Sequence, residues 1–295
     1  VCSSDLMKKD EVRKATDRIL NGLEKDFKEI YQKAYFESSV YFKRKLAKIK
    51  AGLKGLEGEK LIAEQKRLTL LDKQSRATLN YLAKRMSDAN AECIYKVKDG
   101  MADSYSIAYN FQNKSVEEVY RLSGEMFSTI NKETVLNLME KDPFYLPYPE
   151  PKRKKMQEWY GKKINSVILA SIESGDNIDT IAKRLKDVTS EGFSASVRNA
   201  RTYITASENQ GRYDRSEADK EAFKRHGYTI RKKWIGTNDG RERPSHVMCN
   251  NTYANPRTGK FLNGLRFPAD PNGEPSEIWN CRCTLVEEVV KDEEL

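Results

Sequence analysis

The chain has 295 residues, of which 38% are hydrophobic and 33% charged, and its mean hydropathy is −0.77. This length favours one large domain or two ordinary ones over a single small module, and no apolar run approaches the roughly 18 residues that a membrane span needs. Lys and Arg exceed Asp and Glu by 53 to 44, which favours a polyanionic partner such as DNA. Because basic and acidic residues are interspersed, solvation of exposed helices explains the charge equally well, and both interpretations stay open.

The cysteine pattern and the first residues of the chain are informative about the cellular compartment of the protein. The five cysteines are an odd number and are unevenly spaced, which is typical of reduced thiols rather than of a disulfide scaffold. Residues 1–6 have neither the basic nor the apolar stretch of a signal peptide. We expect residues 1–6 to be a non-native leader that precedes the natural start at Met7, and we leave Cys2 out of the candidate sites.

The first long segment is predicted to be helical. Proline is absent from residues 1–142 and again from residues 152–243, so both blocks can form helices. Two apolar stripes with three- and four-residue spacing indicate core-facing helix surfaces: Leu20, Leu23, Phe27 and Ile30, and then Leu79, Leu82, Met86, Ala89 and Cys93. Gly52, Gly55 and Gly58 predict a connection between helices. The sequence therefore predicts a helical N-terminal domain over residues 7–142.

A proline-rich segment follows and then a second helical block. Four prolines lie within residues 143–151, where they prevent a helix, and we predict a linker over residues 143–154. The stripe of Ile164, Ile168 and Ile172 predicts one helix. Asn177 is the expected N-cap of the next. A further helical region is predicted from about Ser194 to Arg225, ended by Gly227.

The residue composition changes in the last part of the chain. Tyr228 to Ile235 is rich in β-branched and aromatic residues and predicts a strand, and Cys283 to Val286 predicts a short closing strand. We therefore predict an α+β fold, with mainly helical N-terminal and central regions and a small C-terminal α+β domain of few strands. This C-terminal domain is expected to span residues 155–290.

Four residues near the predicted strands suggest a metal site. His246 and Cys249 have an H-x-x-C spacing, and Cys281 and Cys283 follow about 30 residues later. Imidazole and thiolate ligands suit zinc, which prefers four tetrahedral nitrogen and sulfur donors. A C-x-C pair is less usual than C-x₂-C. A packed, hydrogen-bonded histidine among buried free thiols is therefore the alternative, and both interpretations stay open.

The same residues also suggest two enzymatic interpretations. A nucleophilic cysteine needs an imidazole within hydrogen-bond reach, which Cys281 or Cys283 with His246 could supply, but no third group is apparent to orient them. A metal-dependent hydrolase needs further ligands, and the second histidine, His226, is predicted at a helix end. We therefore assign no catalytic residue and expect no enzyme activity. Structural bridging and contact with DNA phosphate are competing roles for five arginines, Arg198, Arg201, Arg241, Arg243 and Arg282. The structural role is favoured for Arg201 and Arg243.

An ordered set of motifs runs through the second half of the chain. The residues, as they stand in the sequence, are Arg201-Thr202, Gly211-Arg212, Lys233-Trp234-Ile235, Thr237, Asp239, Arg241, Arg243, Ser245-His246, Asp270-Pro271 and Asn280-Cys281-Arg282-Cys283. In order and spacing this set resembles the Mu F-like phage head morphogenesis family. The residues that carry the resemblance best are Arg201, Trp234, Asp239, Arg241, Arg243, His246, Asn280, Cys281, Arg282 and Cys283.

The resemblance implies a function that the composition does not. A minor head protein of this kind would bind the portal protein and other capsid proteins at the portal vertex, act in head assembly, and contact packaged double-stranded DNA without sequence specificity. It would reside inside the virion head, and in the host cytoplasm during assembly, with no membrane partner. The alternative function is a metal-dependent enzyme or an ADP-ribosyltransferase-like effector that uses the C-terminal His/Cys domain. In a common form of the family two cysteines precede the N-C-R-C element, whereas here His246 occupies that region.

Overall fold

The computed structural model describes residues 3–120 and 129–294, and it describes side chains for residues 11–40, 42–111 and 129–293. Residues 1 and 2 lie outside the described residues, and residues 3–6 belong to the first helix. The non-native leader stays a prediction. Among the described residues, no helix combines the length and the apolar character that a membrane span requires.

The fold is mainly helical and ends in a small sheet, as the sequence predicts. The helices are α1 (Ser3–Gly52), α2 (Gly58–Lys66), α3 (Lys73–Tyr120), α4 (Lys132–Lys141), α5 (Arg153–Glu173), α6 (Ile178–Arg225), α7 (Pro244–Cys249) and α8 (Pro275–Ile278). A π-helical turn follows α2 at Arg67–Leu71, and a 3-10 turn, Asp292–Glu294, follows the last strand. The strands are β1 (Tyr228–Ile235) and β2 (Thr284–Lys291).

Local signals place several of these helix ends. The amide of Thr180 donates to the Asn177 side chain at 2.9 Å, which confirms Asn177 as the N-cap of α6. Helix α6 ends just before Gly227, whose φ of 77° is the left-handed conformation that glycine adopts at low cost. The predicted apolar stripe of α5, Ile164, Ile168 and Ile172, is buried. Gly52 and Gly58 bound the connection between α1 and α2, as predicted.

Helix α6 differs from the prediction in one respect. The sequence suggests a separate helical region that begins near Ser194, whereas the structure has one continuous helix from Ile178 to Arg225. Gly192 does not break it. A Cβ atom at this position would lie 2.4 Å from the Tyr160 hydroxyl oxygen and 3.1 Å from Cε1 of Tyr31, so this glycine permits close packing inside a helix.

The two strands form an antiparallel sheet, in which Tyr228 pairs with Lys291 and Ile235 pairs with Thr284. The predicted strand β1 is confirmed over its full length, whereas β2 begins one residue later than predicted and extends further. Residues 251–254 run along the other side of β1: the Trp234 amide donates to the Thr252 carbonyl oxygen at 2.9 Å, and the Ala254 amide to the Lys232 carbonyl oxygen at 2.9 Å. A long loop-rich segment is thereby attached to the sheet.

Residue contacts divide the chain into two units that are interleaved in sequence. Unit 1 comprises Val1–Leu23, Lys96–Pro149 and Arg198–Leu295, and unit 2 comprises Glu24–Tyr95 and Glu150–Val197. Helices α1, α3 and α6 each contribute residues to both units. The linear domain bounds predicted from the sequence, at residues 142 and 155, stay a prediction.

The two units differ strongly in charge. Unit 2 contains 25 Lys and Arg against 17 Asp and Glu residues, whereas unit 1 contains 28 against 27. Nearly all of the net positive charge of the chain therefore belongs to unit 2. Unit 1 contains the sheet and the His/Cys segment, whose core is a cluster of ten buried residues: Ala206, Trp234, Cys249, Phe261, Leu265, Phe267, Ala269, Cys281, Cys283 and Leu285.

Candidate functional site

The structure brings three of the four predicted metal ligands together. Nδ1 of His246 lies 3.5 Å from Sγ of Cys283 and 3.7 Å from Sγ of Cys281, and the three candidate ligand atoms all lie within 4.8 Å of one another. The residues are only 2%, 2% and 1% exposed, respectively. Helix α7 supplies the histidine, and the residues just before β2 supply the sulfurs. Two distant segments therefore meet at one buried cluster of soft donors.

The far side of the histidine ring faces a carboxylate. Nε2 of His246 lies 3.1 Å from Oε2 of Glu277, although the ring N–H is not aligned for a hydrogen bond. The Ser245 hydroxyl donates to the same carboxylate at 2.9 Å, and the Asn263 amide lies 3.4 Å from it. The carboxylate favours a proton on Nε2, which leaves the lone pair of Nδ1 directed at the sulfurs.

Cys249 is placed apart from this cluster, although it belongs to the same core. It is fully buried, yet it is not a member of the group whose ligand atoms lie within 4.8 Å of one another. Burial raises the pKa of its thiol, and the backbone amides of Asn263 and Leu262 lie within hydrogen-bond reach of its sulfur. The structure thus favours a three-residue site over the predicted four-residue one.

The two clustered thiols polarise each other. The Cys283 thiol donates to the Cys281 sulfur, which lowers the pKa of Cys281 and raises that of Cys283, and burial raises the pKa of Cys283 further. The two cysteines are therefore coupled to each other, and a metal ion would bind them as thiolates.

An aromatic residue closes the cluster. Trp234, on β1, is fully buried, and its ring meets the His246 ring edge to face, with centroids 5.1 Å apart and an interplanar angle of 77°. The Phe261 ring also packs edge to face against the Trp234 ring, with centroids 5.2 Å apart. This packing restricts the imidazole to one orientation, with Nδ1 toward the sulfurs.

Helix α6 holds the Asn280-Cys281-Arg282-Cys283 segment at both ends. The Asn280 amide donates to the Thr202 hydroxyl oxygen at 2.8 Å. Seven residues along the helix, Asn209 donates to the Cys283 carbonyl oxygen at 3.1 Å and accepts from the Leu285 amide at 2.7 Å. Residues 202 and 209 are two turns apart and lie on one face of the helix, so the spacing on α6 matches the segment that it holds.

The motif arginines form bridges between loops. Arg282 and Arg241 both donate to Asp239, at 2.9 and 3.0 Å, and the Arg282 guanidinium holds the pKa of that carboxyl well below its usual range. Arg243 donates to the Trp279 carbonyl oxygen. Arg201 lies half-buried on α6. For Arg241, Arg243 and Arg282, the structure shows the contacts expected of a structural role.

Comparison with known families identifies this region. Residues 162–286 match the family model described as Phage Mu protein F like protein. Residues 162–286 are therefore similar to this family, and we refer to them as the Mu F-like domain. The resemblance carried by the motifs is thereby confirmed, and the match supports a phage head morphogenesis protein and a place among the capsid components of a virion. Neither the curated proteins nor the solved structures contain a match to the chain.

A pocket is formed partly by residues of the Mu F-like domain and partly by residues that precede it in sequence. A mainly apolar pocket of about 250 Å³ is lined by residues that include Tyr203, Ala206, Pro275, Ile278 and Trp279. Pro275 and Ile278, the first and last residues of α8, line the pocket, and the same helix carries the carboxylate that faces His246. The pocket and the His/Cys cluster therefore share a structural element.

Sequence reasoning missed two residues of the Mu F-like domain that the structure makes prominent. Glu277 contacts His246 from a different segment of the chain, and Asn209 lies inside a long helix without any cysteine, histidine or arginine motif. A signal was available for Asn209, because α6 carries a run of polar residues where an apolar stripe would be expected. For Glu277, the spacing from His246 carries no such signal.

Proposed function

We propose that the chain is a minor head protein that binds the portal protein at the portal vertex during head assembly and contacts packaged DNA. The observation that carries the proposal is the family match over residues 162–286, which covers β1, the start of β2, the His/Cys cluster and helices α6, α7 and α8. No catalytic step is assigned to the chain, and the Mu F-like domain acts as a docking unit.

The portal contact is proposed on an exposed apolar surface of this domain. Val247 and Met248 of α7 are 56% and 63% exposed, and Leu262 is 73% exposed. The backbone amide of Leu262 lies within hydrogen-bond reach of Cys249 at the end of α7, so the three side chains belong to neighbouring segments. Exposed apolar side chains that form a patch are typical of protein interfaces, and we place the portal contact here.

The DNA contact is proposed for unit 2, because its excess of basic residues is what a phosphate backbone attracts. Lys43, Arg44 and Lys48 of α1 are exposed, and so are the four consecutive basic residues from Lys152 to Lys155 at the start of α5. Unit 1 is almost neutral, so the two contacts would use different units of the chain.

The portal proposal is tested by co-purification of the full-length chain with its cognate portal protein. Truncation would be uninformative, because each unit is assembled from separate stretches of sequence. The double variant Met248→Asp and Leu262→Asp is expected to abolish co-purification. The control Phe144→Asp alters a side chain that is 88% exposed elsewhere in unit 1 and should retain it. Failure of the unmodified chain to bind any portal or capsid protein would overturn the proposal.

The DNA proposal is tested with double-stranded DNA over a range of salt concentrations. Binding should be independent of sequence and should weaken steeply with salt. The triple variant Lys43→Gln, Arg44→Gln, Lys48→Gln should reduce the slope of log affinity against log salt by about 2 to 3. The control Lys141→Gln, Lys224→Gln, Arg257→Gln removes the same charge from exposed positions of unit 1 and should leave the slope nearly unchanged. Equal effects of the two variants would contradict the assignment to unit 2.

A further inference from the structure

The His/Cys cluster has the features of a small metal site. Its three ligand atoms, Nδ1 of His246 and the sulfurs of Cys281 and Cys283, lie within 4.8 Å of one another, a spacing that one ion could bridge after small side-chain rotations. All three side chains are buried. Two sulfurs and one imidazole are donors that zinc prefers over magnesium or calcium, which take oxygen ligands.

The surroundings of His246 also resemble those of metal-ligating histidines. In such sites the ring nitrogen that does not bind the metal faces a carboxylate or carbonyl, which fixes the tautomer and the ring orientation. Here Oε2 of Glu277 lies 3.1 Å from Nε2 of His246, and Ser245 and Asn263 in turn contact Glu277. A carboxylate beside the ring nitrogen that faces away from the sulfurs is therefore the arrangement expected of a metal-ligating histidine.

We propose that His246, Cys281 and Cys283 bind one Zn²⁺ ion, and that Glu277 is a positioning residue that orients His246. Two thiolates neutralise the charge of the ion, which suits a site with almost no exposure to solvent. Cys249 lies outside the group whose ligand atoms are within 4.8 Å of one another, so we assign it no role as a ligand. A zinc ion with three protein ligands takes water or another small donor in its fourth position.

The ion would fasten parts of the Mu F-like domain that have little regular structure between them. The segment from residue 236 to residue 283 contains only the short helices α7 and α8, and His246 and Cys283 are 37 residues apart in sequence. A metal ion that binds only the folded form stabilises that form in proportion to its affinity. Zinc would thereby hold α7 next to the start of β2. The contact between Glu277 and His246 would connect α8 to the same site.

The test uses the full-length chain, purified under reducing conditions, with metal content measured by elemental analysis. One zinc per chain is expected. Cobalt replaces zinc and reports the number of thiolate ligands by its charge-transfer absorption, and an intensity that corresponds to two thiolates is expected. Absence of zinc after purification, together with absence of the cobalt-thiolate absorption on addition of Co²⁺, would overturn the proposal.

Variants separate the ligands from their neighbours. Cys281→Ser and Cys283→Ser should each lose the ion, whereas Cys249→Ser and Cys93→Ser should retain it with unchanged cobalt absorption. Glu277→Gln, which is isosteric, should weaken zinc binding about 10- to 100-fold in competition with a chelator. Loss of one thiolate signal in Cys249→Ser would overturn the ligand set. Unchanged affinity in a folded Glu277→Gln would overturn the positioning role.

Discussion

The side-chain amide of Asn209 donates a hydrogen bond to the carbonyl oxygen of Cys283 at 3.1 Å, although the two residues are 74 positions apart. The same side chain accepts a hydrogen bond from the Leu285 amide at 2.7 Å, and Asn209 has no exposed surface. Helix α6 thus satisfies a backbone donor and a backbone acceptor at the entrance to β2. One side chain joins the helical and the sheet parts of the Mu F-like domain.

Replacement of Asn209 by alanine is expected to destabilise this domain by about 2 to 4 kcal/mol, because a buried amide and a buried carbonyl would each lose their partner. Urea unfolding followed by tryptophan fluorescence measures the change, since Trp234 belongs to the same core. The control Asn137→Ala, at an exposed position on α4, should change the free energy of unfolding by less than about 0.5 kcal/mol. A comparably small effect at Asn209 would contradict the role given to its amide.

Gly211 is expected to resist substitution for a different reason. A Cβ atom at Gly211 would lie 2.5 Å from the backbone carbonyl oxygen of Tyr105, and a backbone atom cannot rotate away as a side chain can. Gly211→Ala should therefore cost about 1 to 3 kcal/mol through overpacking between α3 and α6.

The matched control for Gly211→Ala is a substitution that should change the free energy of unfolding in the opposite direction. Gly161 lies inside α5, and a Cβ atom there would meet nothing within 4 Å. Gly161→Ala should stabilise the chain by about 0.5 to 1 kcal/mol, because alanine loses less conformational entropy than glycine in a helix. Thermal unfolding of both variants checks the pair, and a stabilising Gly211→Ala would show that the two helices are not in close contact at this point.

Local patterns predicted much of the fold, because the forces behind them act over a few residues. The stripe of Ile164, Ile168 and Ile172, the cap at Asn177 and the strand from Tyr228 to Ile235 depend on periodicity and on backbone hydrogen bonding near in sequence. The sequence alone does not show that α6 is continuous, because a glycine such as Gly192 can either end a helix or permit close packing within one.

The candidate site was predicted only in part, because its contacts are not local. The chemistry of His246, Cys281 and Cys283 was visible in the residue types, and the structure brings those three together. Cys249 was included on spacing alone, yet spacing does not specify whether a thiol faces the cluster or the backbone of Leu262. Glu277 was missed because carboxylates are common on surfaces, and only the tertiary fold places this one beside an imidazole.

The stability of the Mu F-like domain is expected to depend on pH through Asp270. Burial alone would raise the pKa of this carboxyl, but hydrogen bonds from the Arg266 guanidinium and from the Asn272 amide outweigh burial and lower it. A carboxyl whose pKa is lower in the folded than in the unfolded state contributes stability above the unfolded value. That contribution decreases as the pH falls below about 4 and is lost as the pH falls through the folded value.

Asp270→Asn should accordingly cost about 1 to 3 kcal/mol at pH 7, because it breaks one arm of the paired contact with Arg266. The difference from the unmodified chain should shrink as the pH is lowered from 5 to 3. Asp187→Asn, at an exposed position, is the control and should show a small difference at every pH. Denaturant unfolding at several pH values measures both, and a cost at Asp270 that grows on acidification would refute the assignment.

Asn280, the first residue of the motif that carries the family resemblance, has a backbone role. Its φ is 58°, in the left-handed region that asparagine and glycine tolerate and β-branched residues do not. That conformation accompanies the hydrogen bond from its amide to the Thr202 hydroxyl oxygen, immediately before Cys281.

Asn280→Gly should therefore be nearly neutral, whereas Asn280→Val should cost about 1 to 3 kcal/mol. If metal binding follows the geometry of Cys281, the valine variant should also bind cobalt more weakly than the glycine variant. Equal stability of the two variants would show that the side chain of Asn280, rather than its backbone, is what the motif requires.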